Sequence, residues 1–497
     1  MAALLIVLPL LGVVLLNLPL PRRWTNGVAL SFAGVFCALE VVAAFANNIA
    51  AWFGVMSYWS LDLSFAAGSG KGLSGLLGAK FADVDDLTRV MFLAISLVGL
   101  CAVWVARYSL GPDAEKRFRF ANLLLLILAG MNGIVLVRDL FALYVFLEIT
   151  AVTSFVLIAL ERGKQALEGA FKYMVLSAVA TALLLAGIAL LFIITGDTSF
   201  AAARSALAGG AGASKVGLAA VALFLAGLSI KAGLVPFHGW LPDAYASAPA
   251  AVSVLLAGIV TKVSGVYTLI RLAEVFGYSA PLKTTMLIAG AFSIVAGALA
   301  ALAQKDFKRM LAYSSISQVG YIILALGVAG PDTVGQVAIA GAVLHLFNHA
   351  IFKTLLFVNS AAVEQQAGTL DMDQLGGISV KMPVTGTTSV LAMLSTAGIP
   401  PLSGFWSKLL IVFAVWKAGH QGWAALAVVS SLITLAYFLS MQRRVFFGKL
   451  SASCAGLKEA GGWGLLPALM LAAITVLLGL GAPWLFGTFL LKVGSIL

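Results

Sequence analysis

Eight titratable side chains lie inside otherwise apolar stretches: Glu148, Lys172, Lys231, Lys262, His345, His349, Lys353 and Lys408. Amines, imidazoles and a carboxylate in such surroundings can take up, hold and hand on protons. A charge at the centre of a membrane helix costs roughly 2.5–3.5 kcal/mol, so five uncompensated lysines would cost on the order of 12–18 kcal/mol. That rivals the whole net stability of a domain, about 5–15 kcal/mol. The lysines must therefore face one another, acids, or water inside a helical bundle.

Glu148 sits about nine residues into its run and is either a protonated packing group or a carboxylate kept charged by a lysine. Lys231 lies five residues before Pro236. A buried lysine gives up its proton readily, and a movable carboxylate reverses that tendency, so such a pair can act either as a switch or as a static ion pair. Lys262 lies near mid-span with no acid within a helical turn, too deep to snorkel. His345, His349 and Lys353 follow i, i+4, i+8 spacing with Asn348 beside them, a stripe on one helix face. Two histidines so spaced can serve as a relay, as satisfied packing donors or as a metal pair, but no Glu or Cys joins them, and we read no metal site. The Lys353 stem is long enough to carry its amine to the headgroups. Lys172, about six residues inside its run, is a relay group or a snorkelling one. His238 and Asp243 would line an entrance. Glu40 reads as a packing or subunit contact, and Asp139 as a local partner of Arg138.

These groups belong to a chain of 497 residues that is 61% hydrophobic and 10% charged, with a mean hydropathy of +1.05. Soluble domains run near 25% charged, so a soluble enzyme is excluded. Apolar runs fall at about 2–20, 28–51, 88–108, 120–137, 139–160, 167–194, 215–242, 249–272, 284–303, 308–329, 333–362, 384–416, 422–443 and 464–490, which predicts fourteen spanning helices and leaves no room for an extramembrane domain. None alternates with period two, so a barrel is excluded. The first run has no basic region before it and no separate cleavage site, and reads as a retained helix. The connection from Trp52 to Leu87, with Asp83, Asp85 and Asp86, reads as a solvated loop. Cys37, Cys101 and Cys454 show no metal or redox spacing, and no phosphate loop or dinucleotide fingerprint is present, so no cofactor is expected in this chain. The net charge of +11 reads as orientation signal rather than as nucleic-acid binding. Alternate loops carry sixteen basic residues on one face and ten on the other, placing both termini outside.

Two runs are interrupted by proline where neighbouring spans are not: GLSIKAGLVPFHGWLPDAYASAP, with Pro236 and Pro242, and LSTAGIPPLSGFWSKLL, with Pro400 and Pro401. Proline removes an amide donor and clashes with the preceding turn, so each helix should break at mid-depth, which is tolerated where the break lines an enclosed wet cavity. The breaks are five runs apart. This predicts two inverted five-helix repeats with broken helices 7 and 12: residues 1–110 as helices 1–3, 120–272 and 284–443 as the repeats, and 464–497 as a last helix.

Over residues 85–450 the chain resembles the antiporter-like subunits of respiratory complex I, of Mrp-type Na+/H+ antiporters and of membrane-bound [NiFe] hydrogenases. The resemblance rests on DLFALYVFLEIT around Glu148, SIKAGLVPFHGWLPDAYASAPAAVSVLLAGIVTKVSGVY with Lys231 and Lys262, KDFKRMLAYSSISQVGY, HLFNHAIFKTLLF, and AGIPPLSGFWSK ending at Lys408. It implies an all-α proton- or cation-conducting subunit in which Glu148 pairs with Lys231, Lys262 is the central acceptor and Lys408 the terminal one. The implied partners are other membrane subunits, further antiporter-like ones among them, with H+ and Na+ as cargo, in the inner cell membrane. Tyr245 stands where many relatives carry histidine after PDA, so no histidine relay is extended there. Lys408 is glutamate in other branches. A self-sufficient transporter of a small solute is the competing reading, and it would need a pocket of mixed polar and aromatic groups rather than a line of lysines.

Overall fold

The computed structural model describes residues 4–18, 22–45, 84–210, 212 and 214–485. Helix starts are set locally by side-chain caps: Asp85, Asp113, Asp139, Ser199, Ser214 and Asp306 each accept a backbone amide of the first turn. The helices are α1 Leu4–Leu16, α2 Arg22–Phe45, α3 Asp86–Ser109, α4 Ala114–Leu136, α5 Leu140–Ile158, α6 Lys164–Thr195 and the short α7 Phe200–Ala208. Then follow α8 Lys215–Ala232, α9 Trp240–Ser247, α10 Ala250–Val275, α11 Ala280–Leu302, α12 Phe307–Leu326 and α13 Thr333–Ala367. The last four are α14 Pro383–Ala397, α15 Ser403–Lys417, α16 Gln421–Val445 and α17 Gly462–Leu485. Among the described residues there is no strand, and ten helices are long and apolar enough to cross a membrane.

Both predicted breaks are present. The chain leaves the helix at Ala232 and re-enters it at Trp240, and it leaves again at Ala397 and re-enters at Ser403. Gly233 and Gly398 end the first halves with φ of 68° and 86°, a conformation that glycine adopts without a Cβ penalty. Pro242 does not contribute to the first break. It lies in the first turn of α9, where a missing N–H leaves no helical bond unmade. The mid-section of α10 is wound more widely, as π-helix over Leu256–Val260 and Lys262–Tyr267. Such turns widen the backbone spacing and are frequent at functional sites.

Polar connections gather at the two ends of α6. Near its start, Lys172 and Arg309 both pair with Asp243, at 2.7 and 2.6 Å. On that same face Met372 N–H donates to Lys305 O (2.8 Å), Ser379 N–H to Phe446 O (3.1 Å) and Arg444 to Gln304 O (3.2 Å). At the far end Leu140 N–H donates to Thr198 O (2.8 Å), and Arg271 and Arg138 meet Asp85 at 2.5 and 3.5 Å. From Lys172 to the α6 end at Thr195, a rise of about 1.5 Å per residue puts the two clusters roughly 35 Å apart.

Asp85 and Asp86 are thus not in a solvated loop, as the composition of 52–87 suggested; residues 46–83 lie outside the described residues. Asp85 caps α3 and ties it to α10 through Arg271, because the arginine emerges at the height of the cap. Burial pushes the Asp85 carboxyl up, but the hydrogen bond and charge of Arg271 outweigh it and hold the group below the usual carboxylate range. A depressed carboxyl contributes stability above the ordinary aspartate value, and loses it as pH falls through the lower folded value. Removing one partner strands the other in a largely buried site, so Asp85→Ala is expected to destabilise the chain by about 3–5 kcal/mol. Thermal unfolding in detergent at neutral pH checks this, and the difference from the parent should shrink as the medium is acidified.

Candidate proton relay

Lys231, at the end of α8, is buried and donates to Ser177 of α6 at 3.2 Å. Glu148 of α5 is half-buried and interacts with the Lys231 charge, but the two form no ion pair within 4 Å. The pair that the resemblance implies is therefore open in this structure. Lys231 has turned to a hydroxyl on α6, and the carboxylate remains on α5.

Lys262 is fully buried in the widened part of α10, where its amine donates to Ala257 O. Two glycines fix its position. A Cβ on Gly265 would lie 2.5 Å from Ala232 N, the residue after Lys231, and a Cβ on Gly258 would lie 2.5 Å from Thr354 Oγ1, the residue after Lys353. Lys262 thus lies between the Lys231 end of α8 and the Lys353 turn of α13. The Tyr245 hydroxyl stands 2.8 Å from Thr261 Oγ1 beside it and donates to Leu256 O. At this position tyrosine holds the α10 turn.

The α13 stripe is fully buried. His345 Nδ1 lies 2.9 Å from Ser407 Oγ of α15, while His345 Nε2 and both His349 ring nitrogens have no protein partner. The two imidazoles stack at 6.3 Å between centroids with planes 10° apart. Asn348 beside them donates to Ser403 O at 2.8 Å. Lys353 does not snorkel; its amine donates to Leu311 O at 3.1 Å and to Ser314 Oγ, both on α12. Its charge and those of Lys262 and Lys408 all act on His349. The stem of Lys408 rests on Gly398 in the second break, and its amine donates to Ser431 Oγ at 3.4 Å, 4.5 Å from the centre of the Tyr321 ring. The buried imidazole nitrogens without protein partners need water or a shared proton to satisfy them. The arrangement therefore suits proton hand-over.

Lys172, Asp243 and His238 lie apart from this line. Lys172 is 43% exposed and pairs with Glu168 as well as Asp243, both at 2.7 Å. Four charged groups from α6, α9 and α12 thus meet at one mouth of the bundle, with half-buried His238 stacked edge-on to Tyr313 nearby. Arg138 reaches across to Asp85, while Asp139 caps α5 and accepts from Thr198 at 2.5 Å. Glu40 is buried with neither carboxylate oxygen hydrogen-bonded. Lys308, one of the sixteen basic residues counted in loops on the richer face, is buried and pairs with Glu364 at 2.7 Å. Ser177, Ser407 and Tyr321 were not legible as site residues, because a hydroxyl in an apolar run carries no signal until the facing helix is known.

The fold and this line define a polytopic helical membrane protein with buried, uncompensated amines and imidazoles. Residues 137–434 match the family described as NADH:quinone oxidoreductase/Mrp antiporter, transmembrane, and the chain belongs to it. It is 38% identical to NADH-quinone oxidoreductase subunit N of Desulforudis audaxviator over 71% of this chain and 70% of that one. It is 33% identical to the D component of the Na(+)/H(+) antiporter of Alkalihalophilus pseudofirmus over 81% and 80%. Its structure is similar to a chain of the Mrp complex from a Dietzia species, with a TM-score of 0.84, 25% identity, and 99% and 96% of the two chains covered.

Proposed function

We propose that the chain is a proton- or cation-translocating subunit of a multisubunit membrane complex, moving H+ along a hydrated line through Lys231, Lys262, His349, His345 and Lys408. Glu148 gates the line and Lys353 flanks it. The observation that carries this reading is that these buried amines and imidazoles follow one another across both helix breaks, and that none of the four lysines closes an ion pair with a described carboxylate. An uncompensated buried charge is retained where it moves.

The relatives' names and the multisubunit setting of the similar structure support partners that are other membrane subunits, antiporter-like ones among them, with Na+ as a second candidate cargo. Redox chemistry or an ion gradient in those partners supplies the energy, and this chain contributes no cofactor. Two inverted five-helix repeats, each holding one broken helix, would set Lys231 beside the first break and Lys408 beside the second. The chain lies in the inner cell membrane with the 368–382 and 446–461 connections cytoplasmic and both termini outside, because the richer set of Lys and Arg falls on that face.

The test is proton movement by the purified complex in liposomes carrying a pH-sensitive dye. Energised complex is expected to shift the dye, whereas the isolated chain should take up no small organic solute. Solute uptake by the chain alone would overturn the reading in favour of a self-sufficient transporter.

A further inference from the structure

A second polar column leaves the line at Lys353 and runs toward the face that carries the 368–382 and 446–461 connections. Ser314, which accepts from Lys353, is faced by the Tyr437 hydroxyl of α16. That hydroxyl also faces Gln318 and Thr434, yet it is buried with no bond in good geometry, and both amide atoms of fully buried Gln318 are likewise without a protein partner. Further along α16, Gln442 is buried and donates to Ser389 Oγ of α14 at 2.7 Å, leaving its carbonyl oxygen unpartnered. Next to Ser389, Thr388 donates to Asn359 Oδ1 at 3.1 Å, and the Asn359 amide nitrogen is buried and unpartnered. One turn nearer the surface, Thr385 donates to Glu459 Oε1 at 2.6 Å, and Val384 N–H to Glu459 Oε2 at 2.7 Å. Glu459 is half-buried and lies in the 446–461 connection.

Of the elements packed around this column, α12, α13 and α16 each contribute a buried group with spare hydrogen-bonding capacity. Amides and a phenol so placed are stable when water bridges them, since a buried polar group without a partner loses its hydration for nothing in return. A packing role alone would favour apolar residues of the same size at Gln318, Asn359 and Gln442. The column also runs toward one membrane face, whereas the Lys231-to-Lys408 line runs across the bundle between the two breaks.

We infer that this column is a water-bearing access branch that joins Lys353 to the membrane face at Glu459, by way of Tyr437, Gln442 and Asn359, and delivers protons to the line from that side. The inference rests on the translocation reading and adds the side and the groups through which the line communicates. Glu459 also caps α14 through Val384 and Thr385, so Glu459 variants would report on folding as well as on access.

The test therefore uses Gln442 and Asn359 in the assembled complex. Gln442→Leu and Asn359→Leu are each expected to lower translocation about tenfold, the loss equivalent to about 1.4 kcal/mol of added barrier, while Gln442→Glu, which keeps a polar chain, retains most of it. Water access is read separately in a complex whose Cys37, Cys101 and Cys454 are alanine. There Gln442→Cys is expected to react with a small cationic methanethiosulfonate from the Glu459 face about tenfold faster than Met441→Cys, its buried apolar neighbour. Equal labelling rates, or leucine variants that pump at the parental rate, would overturn the branch. If labelling and leucine results fail while Lys262→Ala still stops pumping, the branch falls and the relay stands. If Lys262→Ala also pumps normally, the relay reading falls as well.

Discussion

Lys262→Ala is expected to cut proton translocation by the assembled complex more than about tenfold while the subunit still inserts and binds its partners. Lys262 lies between the Lys231 end of α8 and the Lys353 turn of α13, and the close approaches at Gly265 and Gly258 keep that spacing short. Without its amine, protons would have to cross a wall of valines and isoleucines from α10. Lys262→Arg separates a moving proton from a fixed charge, because arginine keeps its proton throughout the physiological range. It is expected to pump no better than the alanine variant, and an arginine variant working at the parental rate would show that charge alone suffices. Lys262→Met keeps the volume and removes an uncompensated buried charge, so it should be at least as heat-stable as the parent. Loss of pumping with retained or increased heat stability is the signature of a group kept for transport and not for packing. Dye-monitored translocation normalised to assembled complex, with thermal melts of the same samples, makes the measurement.

The parts of this site that chemistry fixes locally were legible in the chain itself. Pro236, Pro400 and Pro401 lie in the two breaks, although Pro9, Pro467 and Pro483 sit within continuous helices, and the i, i+4, i+8 spacing puts His345, His349 and Lys353 on one helix face before any packing is known. Depth within an apolar run was a weaker guide. Lys172 and Lys353 both had stems long enough to snorkel, yet one reaches Asp243 at the surface and the other bends inward to Ser314, because their facing helices offer different partners. Those partners lie 71 and 39 residues away, beyond any local pattern. Asp85 was misplaced for the same reason: its composition reads as loop, and only the fold brings Arg271 within 2.5 Å from 186 residues along the chain. The widened turns of α10 had no precursor in the sequence, since its valines, isoleucines and glycines also suit an ordinary helix. Family membership follows from motifs in order, whereas the open state of Glu148 and Lys231 is a property of the assembled bundle.

That open state makes Glu148→Gln the second large effect, with coupled translocation expected to fall about tenfold. Lys231 donates to Ser177 at 3.2 Å while Glu148 acts on it only from beyond 4 Å, so the amine has two acceptors to choose between. When the carboxylate closes on the lysine, the ammonium is stabilised and holds its proton. In the proposed gate, its withdrawal would leave the buried amine to a neutral hydroxyl and free it to pass the proton toward Lys262. Glutamine keeps the shape and loses the charge, so Lys231 would stay in the donating state whatever the partners do. If the two residues work as one device, Lys231→Met combined with Glu148→Gln should pump no worse than the weaker single variant, because the second substitution removes a function already lost. Losses that multiply instead would mean Glu148 and Lys231 act separately. Ser177→Ala should cost much less than either, since the hydroxyl only supports the open position, and comparing all four variants at equal assembly decides whether the gate lies at this pair.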